Sequence, residues 1–148
     1  MAPGTEVPRR RLGALRLMER LRRQEIEARV HELGRLRAEV AALEAEESAL
    51  ARRLADEAHI ASLEAAPYLG QFIRSVRARI ATLDTQAEAL RPRLEVLEAE
   101  VAALFGEKRS YESVRLAGEA ANLKAREKRI DDEAADNVLM RWAVRDRT

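Results

Sequence analysis

From Leu69 to Leu104 the chain places an apolar residue at alternating steps of four and three without a miss: Leu69, Ile73, Val76, Ile80, Leu83, Ala87, Leu90, Leu94, Leu97, Val101 and Leu104. A repeat averaging about 3.5 residues keeps these side chains on one stripe of an α-helix and specifies a left-handed coiled coil. Such a stripe is unstable in water on a lone helix, so a second helix must cover it. Pro92 falls two residues after Leu90, on the outermost face. It removes one backbone hydrogen bond and predicts a kink, while the unbroken stripe on both sides argues against a break.

The covering helix lies earlier in the chain. Residues 9 to about 63 contain no proline and carry the seam Leu33, Leu36, Val40, Leu43, Leu50 and Leu54, interrupted by Glu47 at one core position. Gly13 and Gly34 cost about 1 kcal/mol each against alanine, which a long helix tolerates. Before Leu33, the residues Leu12, Leu15, Met18, Leu21, Ile26 and Val30 hold no single heptad phase, which predicts a more exposed end. Pro67 forbids continuation of the first helix and suits the first turn of the next, placing a turn within residues 62–67.

A short connection makes neighbouring helices antiparallel. The expected fold is all-α: an antiparallel two-helix coiled-coil hairpin with a C-terminal helical overhang. A disordered tail containing Pro3, Gly4 and Pro8 is expected over residues 1–8, and a single coiled-coil domain over 9–148, with the second helix over about 68–145. The turn brings Leu54 to Val76, Leu33 to Leu97 and Leu12 opposite Gly118. After Leu104 the apolar register fails, with Lys108 and Arg115 in the old seam, and a new stripe appears at Leu116, Ala120, Leu123, Ile130, Ala134, Val138 and Trp142. The last third is therefore expected to be helical but paired differently. The 30 residues beyond Gly118 have no partner in the first helix and form an overhang of roughly 45 Å, whose stripe calls for another protein or a second copy.

Composition agrees: 36% of residues are charged and only 3% aromatic, the signature of long helices rather than of a globular core. Cysteine is absent, which removes disulfides and thiolate metal sites. The longest apolar run, Val101 to Phe105, is far too short to span a bilayer, and a cytoplasmic location is expected. There is no phosphate-cradling glycine motif, and His31 and His59 are far apart. The carboxylates follow a solvated helix face, and two paired helices offer no enclosed pocket. The chain is read as a non-enzyme with no cofactor and no metal.

Residues 1–37 hold ten Arg against five Glu, and residues 39–64 hold seven acids against two Arg. No aromatic side chain interleaves with the N-terminal arginines, so nucleic acid is not the expected partner; a charged solvent face or contact with an acidic protein surface fits better. Tyr68 and Phe72 sit one turn apart at the start of the second helix. They either plug the last core layer or anchor a partner. Trp142 poses the same choice at the far end, with contact favoured.

The segment Tyr68-Leu69-Gly70-Gln71-Phe72-Ile73 resembles the stretch that opens the second long helix of the FliJ family of flagellar export proteins. The run Arg126-Glu127-Lys128-Arg129-Ile130-Asp131-Asp132-Glu133-Ala134 is similar to that family's basic-then-acidic ending. The resemblance covers residues 68–134, with length and two-helix layout in agreement. It implies a stalk of the type III export apparatus, located in the cytoplasm and bound to the inner membrane only through its partners. The joined terminal end would enter a hexameric export ATPase ring. The hairpin would contact the cytoplasmic domain of the export-gate protein FlhA, and export chaperones would also bind. Carried over, the gate contact falls on Tyr68, Phe72 and Val76, and the ring contact on Arg9, Arg10, Arg11, Arg126, Lys128 and Arg129. The chain departs from the family in its Ala-rich tip and in Gly70. The equivalent stalk of a virulence injectisome, and a nucleic-acid-associated or scaffolding coiled coil, are the alternatives.

Overall fold

The computed structural model describes residues 6–59 and 66–147, and these form two helices, α1 (Arg9–Ala58) and α2 (Ala66–Arg145), packed against each other as an all-α hairpin. α1 starts where Pro8 lends its carbonyl to the N–H groups of Arg11 and Leu12, at 3.0 and 3.1 Å. Pro67 lies in the first turn of α2, where its missing N–H is one of the helix's unpaired donors in any case. α2 continues without interruption through Pro92, which faces solvent. The first helix was expected to reach about residue 63, but α1 ends at Ala58 with His59 in a turn. Of the expected turn, residues 62–65 lie outside the described residues, and Ala66 and Pro67 already belong to α2.

The single domain expected over residues 9–148 divides into two compact units. One consists of residues 26–103. Its core is a seam of α1 residues Ile26, Leu33, Leu36, Val40, Leu43, Leu50 and Leu54 against α2 residues Leu69, Ile73, Val76, Ile80, Leu83, Ala87, Leu90, Leu94, Leu97 and Val101, all buried or half-buried. Leu83 and Leu97 have no exposed surface at all. Arginine–glutamate pairs flank the seam on both sides: Arg93–Glu32 at 2.8 Å, Arg37–Glu98 and Arg79–Glu46 at 3.0 Å, Arg91–Glu44 at 3.1 Å and Arg29–Glu100 at 3.3 Å. Exposed pairs of this kind add little stability singly, but each would be mismatched by a shift of one helix along the other.

The other unit joins the chain up to Glu25 to residues 104–148. Here the expectation that the pairing changes after Leu104 does not hold. Gly118 lies opposite Leu12, so close that a Cβ built on it would stand 3.0 Å from Leu12 Cδ2. Arg22 meets Glu107 at 2.5 Å in the same register. The antiparallel pairing therefore persists in this unit. The chain before Arg9 is also less free than a tail over residues 1–8 implies: Val7 is half-buried against α2, while Met1–Thr5 lie outside the described residues.

Candidate interaction surfaces

The seam of this terminal unit is polar where the other is apolar, because the heptad steps carry on past Leu104 through Lys108, Tyr111, Arg115, Gly118 and Asn122. These residues are all buried or half-buried. On α1 the matching positions are Leu12, Leu15, Glu19 and Arg22. Glu19, an acidic residue, is only 8% exposed. It accepts two hydrogen bonds from Arg115, from Nε at 2.6 Å and from Nη2 at 3.1 Å. The same guanidinium donates through Nη1 to Glu119, and Arg16 donates to Glu119 at 2.8 Å. Hydrogen bonds from Arg16 and Arg115 hold the Glu119 carboxyl below its ordinary range, and those to Glu19 and Glu119 hold Arg115 above its own. Arg22 lies over the Tyr111 ring at 5.9 Å.

The hydrogen bonds of Asn122 fasten the chain start. Its Oδ1 accepts from the Val7 N–H at 2.6 Å, and its Nδ2 donates to the Val7 carbonyl at 2.9 Å. This two-way bond imitates the pairing of neighbouring backbones. Arg129 pairs with Glu6. An open groove forms between the start of α1 and α2, lined among others by Arg9, Arg126, Arg129, Ile130 and Glu133. The structure thus brings together three of the six basic residues assigned to a ring contact. Arg10, Arg11 and Lys128 are exposed outside this groove.

In the other unit, Tyr68 is 77% exposed. Phe72 is half-buried beneath the Arg53 guanidinium, 5.2 Å from the ring centroid. Val76 is 7% exposed and belongs to the seam, so it cannot offer a docking surface without unpacking the helices. The exposed part of the aromatic segment is Tyr68 with one edge of Phe72.

Every residue of α2 from Arg126 onward is exposed, and Ile130, Val138, Leu139, Met140, Trp142 and Val144 among them are large and apolar. The stripe begins earlier on the outer side of α2, with Leu116 and Leu123 about half exposed. Sequence reasoning found this stripe and put Arg115 at an old seam position, but it took Arg115 for the end of the register and missed Glu19 and Asn122 as seam residues. Their spacing announced them, and their polarity hid them.

Among the described residues no cluster of three or more acids and histidines could hold a metal ion, and no helix is long and apolar enough to cross a membrane. No protein-family model matches the chain, and no curated protein or solved structure does so either.

Proposed function

We propose that this chain is a non-enzymatic stalk of a type III protein export apparatus, coupling a hexameric export ATPase to the membrane export gate. The observation that carries the reading is the terminal unit. Val7 and Asn122 fasten the start of the chain to α2, so that Arg9 and Arg126 line one groove, and α2 runs on beyond it exposed. Two helices side by side are about 20 Å across, which suits insertion into the opening of a ring. The resemblance of Tyr68–Ile73 and of Arg126–Ala134 to the FliJ family supplies the biological setting.

In this reading Arg9 and Arg126 of the groove meet acidic surfaces of the ATPase ring, where long-range attraction between opposite charges speeds encounter. Tyr68 and the edge of Phe72 meet the cytoplasmic domain of the gate, with Val76 shaping the surface from beneath. Export chaperones are further partners, and the chain reaches the inner membrane only through these contacts.

The test is to mix the purified chain with the flagellar export ATPase of the same genome. The chain copurifies with the hexamer and accelerates ATP hydrolysis; the double charge reversal Arg126→Glu with Arg129→Glu abolishes the acceleration. Unchanged acceleration by that variant removes the groove as ring contact, and no copurification at low salt removes the stalk reading. Phe72→Ala weakens gate binding while far-ultraviolet circular dichroism stays constant. Loss of swimming on deletion separates the flagellar role from that of an injectisome.

A further inference from the structure

The outer face of α2 carries a second heptad stripe: Leu116, Ala120, Leu123, Glu127, Ile130 and Ala134 follow one another at alternating steps of four and three. Its large members are exposed, Leu123 by 56% and Ile130 by 63%, and Ile130, with the neighbouring Arg126 and Glu133, also lines the open groove beside the start of α1. Large side chains occupy one set of positions, and alanine occupies two of the three in the other set. Two copies of such a face fit when they run antiparallel, because the large residues of one then meet the small residues of the other.

The flanking charges select the register. Lys124 and Arg126 precede Asp131 and Glu133, and no ion pair within the chain among the described residues engages any of the four. Take a two-fold axis passing between Lys128 and Arg129. It sets Leu123 opposite Ala134 of the second copy, and Ile130 opposite Glu127 of the second copy. On one flank Lys124 then meets Asp131 of the second copy, and on the other Arg126 meets Glu133 of the second copy. The symmetry repeats both pairs, giving four interchain pairs from one register. A surface that complements itself in both shape and charge is what a two-fold dimer requires.

We propose that this outer face of α2 is a self-association surface, on which a second copy of the chain docks antiparallel with Leu123 against Ala134. The Glu127–Ile130 layers and the short apolar stretch make the association reversible, in the micromolar range. The inference does not rest on the stalk reading. It does make the two states exclusive, since Arg126 serves both, and a chain paired with its own copy withholds that residue from any other partner.

Sedimentation equilibrium on the full-length chain, run at low and at high salt, tests it. The expected result is a monomer–dimer equilibrium that salt weakens. Arg126→Glu removes two of the four pairs and introduces repulsion, which raises the dissociation constant about tenfold. Adding Glu133→Arg in the same chain exchanges the two charges, rebuilds both pairs and restores the wild-type constant. Register is read by mixing Leu123→Cys with Ala134→Cys, which the absence of native cysteine makes clean. The mixed disulfide forms in preference to either self-linked product. A chain monomeric up to about 200 μM overturns the proposal, since any micromolar constant leaves dimer at that concentration. So does a dimer whose constant the charge exchange fails to restore, which would place the self-association on other residues. Preferential self-linking of Leu123→Cys would indicate a parallel dimer and overturn the register.

Discussion

Gly118 shows at the scale of one residue why a helix keeps a residue that disfavours helices. A mid-helix glycine costs about 1 kcal/mol against alanine. Here any Cβ would press on Leu12 Cδ2 at 3.0 Å and on Val7 Cγ2 at 3.2 Å. Gly106, in the same helix, has open space where its Cβ would stand. The two positions should therefore respond in opposite directions. Gly106→Ala raises stability by about 0.5–1 kcal/mol through reduced backbone freedom. Gly118→Val lowers it by about 1–3 kcal/mol through overpacking. Thermal unfolding of the two variants checks the pair, and a stabilised Gly118→Val would show that the chain start does not rest against α2. Glu19 and Arg115 make a second test at this scale. Either one alone leaves a charge without its partner between the helices, so Glu19→Leu and Arg115→Leu each lower the melting temperature. The double variant recovers most of the loss, because a paired charge buried in a seam is replaceable by an apolar pair. Additive losses in the double variant would mean that the two residues do not share one site.

At the scale of the element, each helix is a single heptad pattern whose chemistry changes along it. The apolar part, Leu69 to Leu104, could be read from spacing and hydropathy together, and the residues it named are all buried or half-buried. Between Lys108 and Asn122 the spacing is unchanged, but a reading keyed to hydropathy loses the track, because Arg115 and Asn122 earn their places by bonding across the helix pair. The same holds for Glu19 and Arg22 on α1. Of the candidate contacts, Arg9 and Arg126, 117 positions apart, were already grouped by the resemblance and the hairpin register, while their sharing one groove with Arg129 but not with Arg10, Arg11 and Lys128 needed the fold. The burial of Val76 was legible from its place in the repeat. The bonded carboxylates also give both helix pairings a common response to pH. Arg93 holds the Glu32 carboxyl below its ordinary range, as Arg16 and Arg115 hold that of Glu119. The folded chain then takes up protons less readily than the unfolded one, so this contribution is complete above the ordinary carboxylate pKa of about 4.3 and disappears as pH falls through the lowered folded values. The melting temperature should be flat from about pH 6 to 8 and drop below about pH 4.5, with a shallower drop in high salt because the groups are partly solvated. A melting temperature that rises on acidification would contradict the ion-pair account.

For the whole molecule, what matters is how cover is distributed along α2. Residues that face α1 exchange water for side-chain contacts, and from Arg126 onward every residue of α2 stays exposed. A bare helix of this length is marginal in water, since propagation alone gives little stability without tertiary packing. Its amide protection should therefore depend on what binds it, while protection of the paired stretch should not. Hydrogen exchange followed by mass spectrometry on the dilute chain should show fast exchange in peptides from residues 131–145 and slow exchange in those from residues 76–101. Raising the chain concentration into the range where copies associate should slow only the first group. The charge variant Arg126→Glu should keep that group fast at the same concentration. If residues 131–145 were as well protected as residues 76–101 in the most dilute sample, α2 would hold its end without a partner, and its exposed apolar stripe would have to be explained by something other than a surface awaiting cover.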